Sequence, residues 1–350
     1  MRDFNYGKLA EKLLTPRIVS LLTELHEHKA RMGLLSMGGI EQLDRLLELA
    51  KIQSIDSSNR IEGIYTSDAR LRALALQKTR PRSRDEEEIA GYRDVLATVH
   101  ESSEHIPVNP GVILQLHRDL YRYTGYSFGG RFKDSDNAIA ELAADGEVRI
   151  RFQPMGAVAT PGAVGAICEA LGQIRKDSRV DPLLPACLFV LDFLCIHPFN
   201  DGNGRMSRLL TLLLFYQAGH AVGRYISIEK IIERTKASYY DALREDSVGW
   251  HEGDNDYEEF AAYSLGVLLA AYRDFEERAL LSGGKGSSKS ELARQAIEGN
   301  LGSFTKADIR ERCPRVSERT IEVVLSQMLK EGRLEKLGHG RGSSYALRIR

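Results

Sequence analysis

The residues best suited to chemistry in this chain lie within one stretch of twelve, His197-Pro-Phe-Asn-Asp-Gly-Asn-Gly-Arg-Met-Ser-Arg208. Its histidine, with an ordinary pKa near 6.5, offers a neutral imidazole as a general base at pH 7. Its aspartate, Asp201, is a hard oxygen ligand suited to Mg²⁺ that is shared with the phosphates of a nucleotide. The stretch therefore predicts a site where a base, a metal ion and phosphate groups meet.

The remaining polar residues of the stretch favour anion binding. The glycines around Asn203 can turn successive backbone N–H groups toward one anion. Two arginines three positions apart, Arg205 and Arg208, lie on one face of a predicted helical turn and suit bidentate bonds to phosphate. The P-loop pattern of a glycine-rich turn followed by lysine is absent from the sequence. The predicted anion-binding residues are Gly202, Asn203, Gly204, Arg205 and Arg208.

Two apolar segments flank this stretch and must position it. Leu183–Ile196 precedes it and Leu209–Phe215 follows it, so we expect a polar loop between two buried helices. The second helix, which we expect to begin near Arg205, would point its N-terminal N–H groups and the positive end of its dipole at the same anion.

Helical periodicity dominates the rest of the chain, so the predicted fold class is mainly α. An alternating segment, Val148–Pro154, follows the turn signal Ala144–Gly146 and predicts one β-hairpin with residues 136–142. The other predicted helices, by spacing of apolar residues, are 35–55, 84–104, 110–123, 163–178, 184–196, 205–219, 228–247 and 256–280.

Composition and charge restrict the class of protein. The 350 residues are 43% apolar and carry a net charge of −1, as expected of globular domains with a large core. The chain begins without the apolar core of a signal peptide, and no apolar stretch reaches the roughly 18 residues that span a membrane. The four cysteines form no Cys-x-x-Cys pair, which favours buried free thiols. We expect a cytoplasmic protein with no membrane partner.

The C-terminal part has a different character. Residues 282–290 are rich in Gly and Ser, which is typical of a linker. Residues 285–350 hold 14 Lys and Arg against 8 Asp and Glu, a net charge of +6, which leaves a net charge of −7 for the rest of the chain.

Three predicted helices, with Ser317 as the N-cap of the third, precede a predicted hairpin, and this order predicts a winged helix-turn-helix over residues 291–350. Arg319 and Lys330 of the third helix, with His339 and Arg341 of the wing, suit DNA phosphates. The apolar residues of that helix suit protein docking equally well.

The twelve-residue stretch resembles the Fic family motif, His-x-Phe-x-Asp/Glu-Gly-Asn-Gly-Arg-x-x-Arg, at every defined position, and the resemblance covers roughly residues 50–280. It implies a helical protein that transfers AMP from ATP to a hydroxyl side chain of target proteins. By resemblance, His197 would deprotonate that hydroxyl, Phe199 would anchor the loop and Asp201 would hold Mg²⁺. Asn203 and the two glycines would cradle the phosphates, and the two arginines would bind the outer ones. Gly204 stands where Doc-like relatives, which phosphorylate, carry lysine.

The resemblance also implies a flap and an inhibitory helix. The hairpin at 136–153 resembles the flap that aligns the target segment, with Asp136, Asn137, Ala138 and Ile139 along its open edge. Ser58-Asn-Arg-Ile-Glu62-Gly63 resembles the inhibitory pattern Ser/Thr-x-x-x-Glu-Gly/Asn, so Glu62 would pair with Arg208 and exclude the γ-phosphate of ATP. Residues implied to contact adenine, with burial in the core as the alternative, are Tyr239, Tyr240 and Ser247.

The expected organisation is an N-terminal helical region with the inhibitory helix (1–105), a Fic catalytic core (106–281), the linker and the winged-helix domain. We expect ATP and Mg²⁺ as cofactors, protein substrates, and a homodimer that modifies itself. In such proteins the same glutamate can also serve AMP removal, which the sequence of this chain leaves open. The alternative is a DNA-binding transcriptional regulator whose Fic body senses nucleotide. The intact His197 and Asp201 favour the enzyme, because a sensor needs no base.

Overall fold

The computed structural model of the chain describes residues 2–36, 40–142, 148–283, 289–298, 303–314, 316–338 and 343–347. Contacts divide the chain into two compact units: Met1–Lys29 with Leu47–Tyr272, and Ala30–Leu46 with Arg273–Arg350. The three-domain organisation expected from the sequence, with its boundary after residue 105, stays a prediction. Among the described residues, no helix combines the length and the apolar character that crossing a bilayer requires.

The fold is mainly α, as predicted. The helices that lie in the first unit or extend from it are α1 (Tyr6–Lys12), α2 (Pro16–Ser36), α3 (Ile40–Ile61), α4 (Asp68–Ala75), α5 (Arg84–Ser102), α6 (Pro110–Leu120), α7 (Thr160–Ile174), α8 (Leu183–Ile196), α9 (Asn203–Gln217), α10 (Ile228–Arg234), α11 (Lys236–Asp246) and α12 (Glu258–Gly283). Helices α5 to α9 and α12 agree with the predicted segments to within a few residues. Helices α1, α2 and α4 were not predicted.

Helix α8 forms the centre of this unit. Apart from Asp192 it is apolar all round, and every one of its residues except Leu194 is buried, which is the pattern of a helix surrounded by others. It packs against both α7 and α9. The loop that joins α8 to α9 therefore begins and ends on rigid, buried helices, and this loop carries the twelve-residue motif.

The predicted helix 228–247 is wrong in one respect, because the chain breaks at Thr235 into α10 and α11. The Thr235 hydroxyl donates to the Ile231 carbonyl (2.9 Å) and lies 2.8 Å from the Tyr263 hydroxyl. A β-branched residue whose hydroxyl bonds back to its own helix offers the backbone an alternative to continued helix. The break places Lys236 at the start of α11, where its Nζ donates to the Ile61 carbonyl at the end of α3 (3.0 Å).

The predicted hairpin is present. Strands β1 (Ile139–Leu142) and β2 (Val148–Phe152) pair antiparallel, with Leu142 opposite Val148 and a register shift between Ile139 and Ala140. The predicted turn at 144–146 lies outside the described residues. Strand β1 begins at Ile139, so Asp136, Asn137 and Ala138 precede it.

The second unit contains α13 (Lys289–Glu298), α14 (Lys306–Arg312), α15 (Glu318–Lys330), β3 (Phe304–Thr305), β4 (Leu334–Leu337) and β5 (Ser344–Leu347), with strand order β3-β5-β4. Ser317 caps α15 by accepting from the Thr320 N–H, as predicted. Two acids on this helix, Glu318 and Glu322, pair with Arg310 and Lys306. The winged-helix assignment stays a prediction, and His339, Arg341 and most of the predicted linker lie outside the described residues.

Candidate active site at the junction of helices α8 and α9

The junction begins at His197, which ends α8 in the left-handed conformation (φ 50°, ψ 62°) while its N–H donates to the Phe193 carbonyl (2.9 Å). Among the described residues, only Gln77 shares a positive φ without being glycine. A non-glycine residue held in this region is strained and is often found at functional sites. The Nδ1 atom is buried and the side chain lines a cavity, so Nε2 is the nitrogen placed to take a proton there.

Phe199 fixes the loop in the core, where the family resemblance places it. Its ring is completely buried and stacks on His117, with ring centroids 3.7 Å apart and planes 5° apart. His117 in turn donates from Nε2 to the Asp201 carbonyl (3.0 Å) and accepts at Nδ1 from the Gly130 N–H (3.0 Å). Burial lowers the pKa of His117 to about 4, so at neutral pH it keeps the lone pair that this contact needs. His117 was not predicted, since no local pattern marks it within its helix.

The Asn203 side chain is engaged within the loop. Its Oδ1 accepts from the Phe199 N–H (2.9 Å) and its Nδ2 donates to the Phe199 carbonyl (2.8 Å), so both ends of the amide are used. The cradle predicted for Gly202, Asn203 and Gly204 therefore depends on backbone N–H groups at the start of α9, which begins at Asn203.

Both glycines have neighbours that a side chain at their position would meet. Gly202 has a φ of 82°, and a Cβ there would lie 2.8 Å from the Tyr121 hydroxyl. A Cβ on Gly204 would lie 2.2 Å from Oε1 of Glu62. The carboxylate of Glu62 therefore lies directly over the N-terminal turn of α9, where the cradle is predicted.

Arg208 meets the predicted inhibitory residues. Its guanidinium is buried and donates to the Ser58 hydroxyl (2.8 Å), the Ser58 carbonyl (2.9 Å) and Oε1 of Glu62 (2.7 Å). The structure thus brings together Ser58, Glu62 and Arg208, which lie up to 150 positions apart in the sequence.

Gly63 explains why the inhibitory pattern ends in glycine. Its φ is 80°, and two bonds close the helix: Gly63 N–H to the Arg60 carbonyl and Ile64 N–H to the Asn59 carbonyl, both 3.0 Å. This is a Schellman turn, whose left-handed position favours glycine. The turn ends α3 at the point where Glu62 can reach Arg208.

Arg205 points to a different partner than its neighbour. Its Nη2 pairs with Oε2 of Glu88 (2.8 Å) and donates to the Tyr121 hydroxyl (2.8 Å), and both charged side chains are almost fully buried. The expectation that Arg205 and Arg208 share one face is therefore wrong. Arg205 reaches a residue of α5, whereas Arg208 reaches a residue of α3 and Glu62 just beyond it. Arg205 Nε and Nη1 are buried without a hydrogen-bond partner among the described residues. Glu88 was not predicted.

A cavity of about 290 Å³ joins these residues, near the low end of the range for small-molecule sites. Its polar lining residues include His197, Arg208 and Glu62, beside Gly204. The lining also includes all three residues predicted for adenine, together with two leucines: Leu194, Tyr239, Tyr240, Leu243 and Ser247.

The flap residues divide into two groups. Ala138 and Ile139 line the cavity, and their role in target binding stays a prediction. Asp136 and Asn137 instead fix the base of the flap. Asp136 accepts from the Ala157 N–H (2.7 Å), and Asn137 donates to the Phe199 carbonyl (3.3 Å).

Asp201 is the one carboxylate of the motif. It is exposed, and its Oδ1 accepts from the Gly202 N–H (2.7 Å). Within the part of the chain that the structure describes, no group of three or more His, Cys, Asp or Glu residues forms a metal site. A magnesium ion that arrives with nucleotide phosphates needs only one or two protein carboxylates, and an exposed Asp201 fits that requirement.

Three kinds of comparison relate this chain to known proteins. Residues 107–215 match the Fic/DOC family model. A protein adenylyltransferase Fic of Nematostella vectensis is 24% identical over 207 residues, 57% of this chain and 45% of that protein. A protein of Aquifex aeolicus, named a probable protein adenylyltransferase, is 25% identical over 150 residues, 43% of this chain and 40% of that protein. The crystal structure of a Fic family protein from Desulfovibrio desulfuricans has a TM-score of 0.61 at 22% identity, and the match covers 96% of this chain and 97% of that one.

This chain therefore contains a Fic/DOC family domain, at residues 107–215, and shares the fold of Fic proteins. The chain spans less than half the length of the two sequence relatives.

Proposed function

We propose that this protein transfers AMP from ATP to the hydroxyl of a Ser, Thr or Tyr side chain on target proteins and on itself. One observation carries the proposal: a single cavity is lined by a histidine suited to act as base, the N-terminus of α9, a buried arginine and two tyrosines suited to contact adenine. The names of the two sequence relatives support the same reaction. A pure nucleotide sensor would need the cavity but not the base.

The reaction balances with the groups at hand. The hydroxyl oxygen of the target attacks the α-phosphorus of ATP, the bond to the β-phosphate oxygen breaks, and pyrophosphate leaves. The hydroxyl proton passes to Nε2 of His197, which is neutral at pH 7 because burial and the Lys133 ammonium lower the pKa of its imidazole to about 4. The backbone of Gly204 and the side chain of Arg208 would hold the phosphates. Magnesium, held by Asp201, would offset the negative charge of the phosphates.

We further propose that Glu62 holds the enzyme in an inhibited state. Its carboxylate takes the guanidinium of Arg208 and covers Gly204, so a phosphate oxygen would have to displace a charge-assisted hydrogen bond of 2.7 Å. Because the side chain of Glu62 is about one third exposed, it can move away from Arg208 without disturbing the packed core. The proposal also includes homodimer formation, AMP removal and a cytoplasmic location.

The test compares Glu62→Gly and Glu62→Gln with the unaltered chain, using ATP labelled at the α-phosphate and counting protein-bound label. We expect at least a tenfold gain in self-modification for Glu62→Gly, which corresponds to about 1.4 kcal/mol of lost competition. His197→Ala in the Glu62→Gly background should abolish labelling. Label at the γ-phosphate should not be transferred, which separates AMP transfer from phosphorylation. Equal activity of Glu62→Gly and the unaltered chain would remove the inhibitory role.

A further inference from the structure

A buried lysine lies beside the candidate base. Lys133 belongs to the segment between α6 and β1 and is only 3% exposed. Its Nζ donates to the Ile196 carbonyl (3.1 Å) and to Oδ1 of Asn137 (2.8 Å), while its backbone N–H donates to the Pro198 carbonyl (2.9 Å). One residue therefore contacts the carbonyl groups immediately before and immediately after His197.

These contacts have two physical consequences. The backbone on both sides of His197 is held, which restrains the strained left-handed conformation of that residue. The ammonium also lies at the C-terminal end of α8, where the last carbonyl groups and the helix dipole favour a cation.

We propose that Lys133 is a positioning residue for His197, which it ties to the base of the flap through the Ile196 and Pro198 carbonyl groups and through Asn137. This inference rests on the proposed function, in which His197 is the base. It adds that the start of the flap and His197 are held together, because Asn137 also donates a hydrogen bond to the Phe199 carbonyl.

The charges around the two groups support this assignment. Burial lowers the pKa of Lys133 to about 8, and Asp136 acts in the opposite direction, so Lys133 is charged at neutral pH. Burial first, and then the Lys133 and Arg151 cations, lower the pKa of His197, while Glu62 acts to raise it. Removing the Lys133 charge should therefore raise the pKa of His197 toward its ordinary value.

The first experiment titrates His197 by NMR in the full chain labelled at histidine, with His197→Gln to assign its signal. We expect Lys133→Met and Lys133→Gln to move the midpoint of His197 upward by roughly half a unit to one unit. Lys133→Arg keeps the charge and should keep the midpoint, and Lys176→Met, at an exposed lysine, is the matched control. Far-UV circular dichroism and thermal unfolding show that each variant is folded. If the midpoint of His197 moved in neither Lys133→Met nor Lys133→Gln, the proposed effect of the Lys133 charge on His197 would be overturned.

The second experiment measures AMP transfer against pH in the Glu62→Gly background. For Lys133→Met we expect a fall in kcat of about tenfold or more with little change in the KM for ATP, and an acid limb moved to higher pH. Unchanged kcat and pH profile, as in Lys176→Met, would overturn the proposal. If no variant transfers AMP while the NMR midpoint moves as expected, the proposed function fails and the coupling of Lys133 to His197 stands.

Discussion

At the scale of single residues, the two arginines of the motif show how different the partners of neighbouring side chains can be. Arg208 is held by Ser58 and Glu62, and the carboxylate among these is partly exposed and can leave. Arg205 is held by Glu88, and both members of that pair are almost fully buried. A buried ion pair that loses one partner leaves an uncompensated charge. We therefore expect the contact with Glu88 both to stabilise the fold and to orient Arg205.

Replacing Glu88 tests this expectation. Glu88→Ala should lower the free energy of unfolding by about 3–5 kcal/mol, because Arg205 would remain buried without its carboxylate. Urea denaturation followed by circular dichroism measures the change. The neighbour Glu87, on the same helical turn, gives the matched variant Glu87→Ala, for which we expect a loss of about 1 kcal/mol or less. Equal losses of unfolding free energy in the two variants would show that the buried Glu88–Arg205 pair does not stabilise the fold.

At the scale of elements, the proposed inhibition depends on where α3 ends and α9 begins. Helix α3 ends in the turn at Gly63, and this ending directs Glu62 to the beginning of α9. Lys236, at the start of α11, donates to the Ile61 carbonyl and holds the same end of α3 (3.0 Å). The Glu62–Arg208 contact, which we propose to be inhibitory, is therefore set by a helix terminus, and a terminus is easier to loosen than a packed helical face.

Gly63→Ala should weaken the contact between Glu62 and Arg208. A residue with a Cβ at a φ of 80° is strained by about 1–2 kcal/mol, and moving Glu62 away from Arg208 relieves the strain. We expect the rate of self-modification to rise by about fivefold or more, and by less than in Glu62→Gly.

The control is Gly162→Ala in α7, where a Cβ meets open space and φ is ordinary. It should leave the rate unchanged. A rate for Gly63→Ala no higher than that of Gly162→Ala, in a preparation where Glu62→Gly is active, would show that the turn does not control the inhibitory contact.

At the scale of the whole molecule, the core contains histidines that are neutral when folded. Both His117 and His220 are completely buried, and burial lowers their pKa values to about 4 and about 3. The unfolded chain binds protons at these positions below about pH 6.5, while the folded chain does not. The stability that these groups contribute is therefore present above pH 6.5 and is lost as the pH falls toward 4.

We expect the free energy of unfolding to fall by roughly 2 kcal/mol for each of these histidines between pH 7.5 and pH 5. Burial raises the pKa of Asp246 to about 6, which acts in the opposite direction over part of this range. Differences between variants therefore measure the effect best. His220→Gln should flatten the fall by roughly 2 kcal/mol in urea titrations, whereas His105→Gln, at an exposed position, should not. Parallel pH curves for the two variants would contradict this.

Local pattern alone determined much of this protein. Apolar spacing predicted α8 and α9, and the polar residues between them predicted a phosphate site, since helical periodicity and motif chemistry are encoded within a dozen neighbouring residues. The hairpin and the Ser317 cap were predicted for the same reason. The pairing of Glu62 with Arg208, by contrast, was available only through resemblance to a family.

Tertiary structure alone decided which side chains support the site. Glu88 pairs with Arg205, His117 with Asp201, and Lys133 with the carbonyl groups around His197, across separations of more than 60 residues. Contacts of this kind arise when packed helices bring distant segments together, and they leave no periodic pattern in either segment. The sequence thus determined the chemical groups of the site, while the packing of α3, α5 and α6 around α9 decided which of them are held in place and which is covered by Glu62.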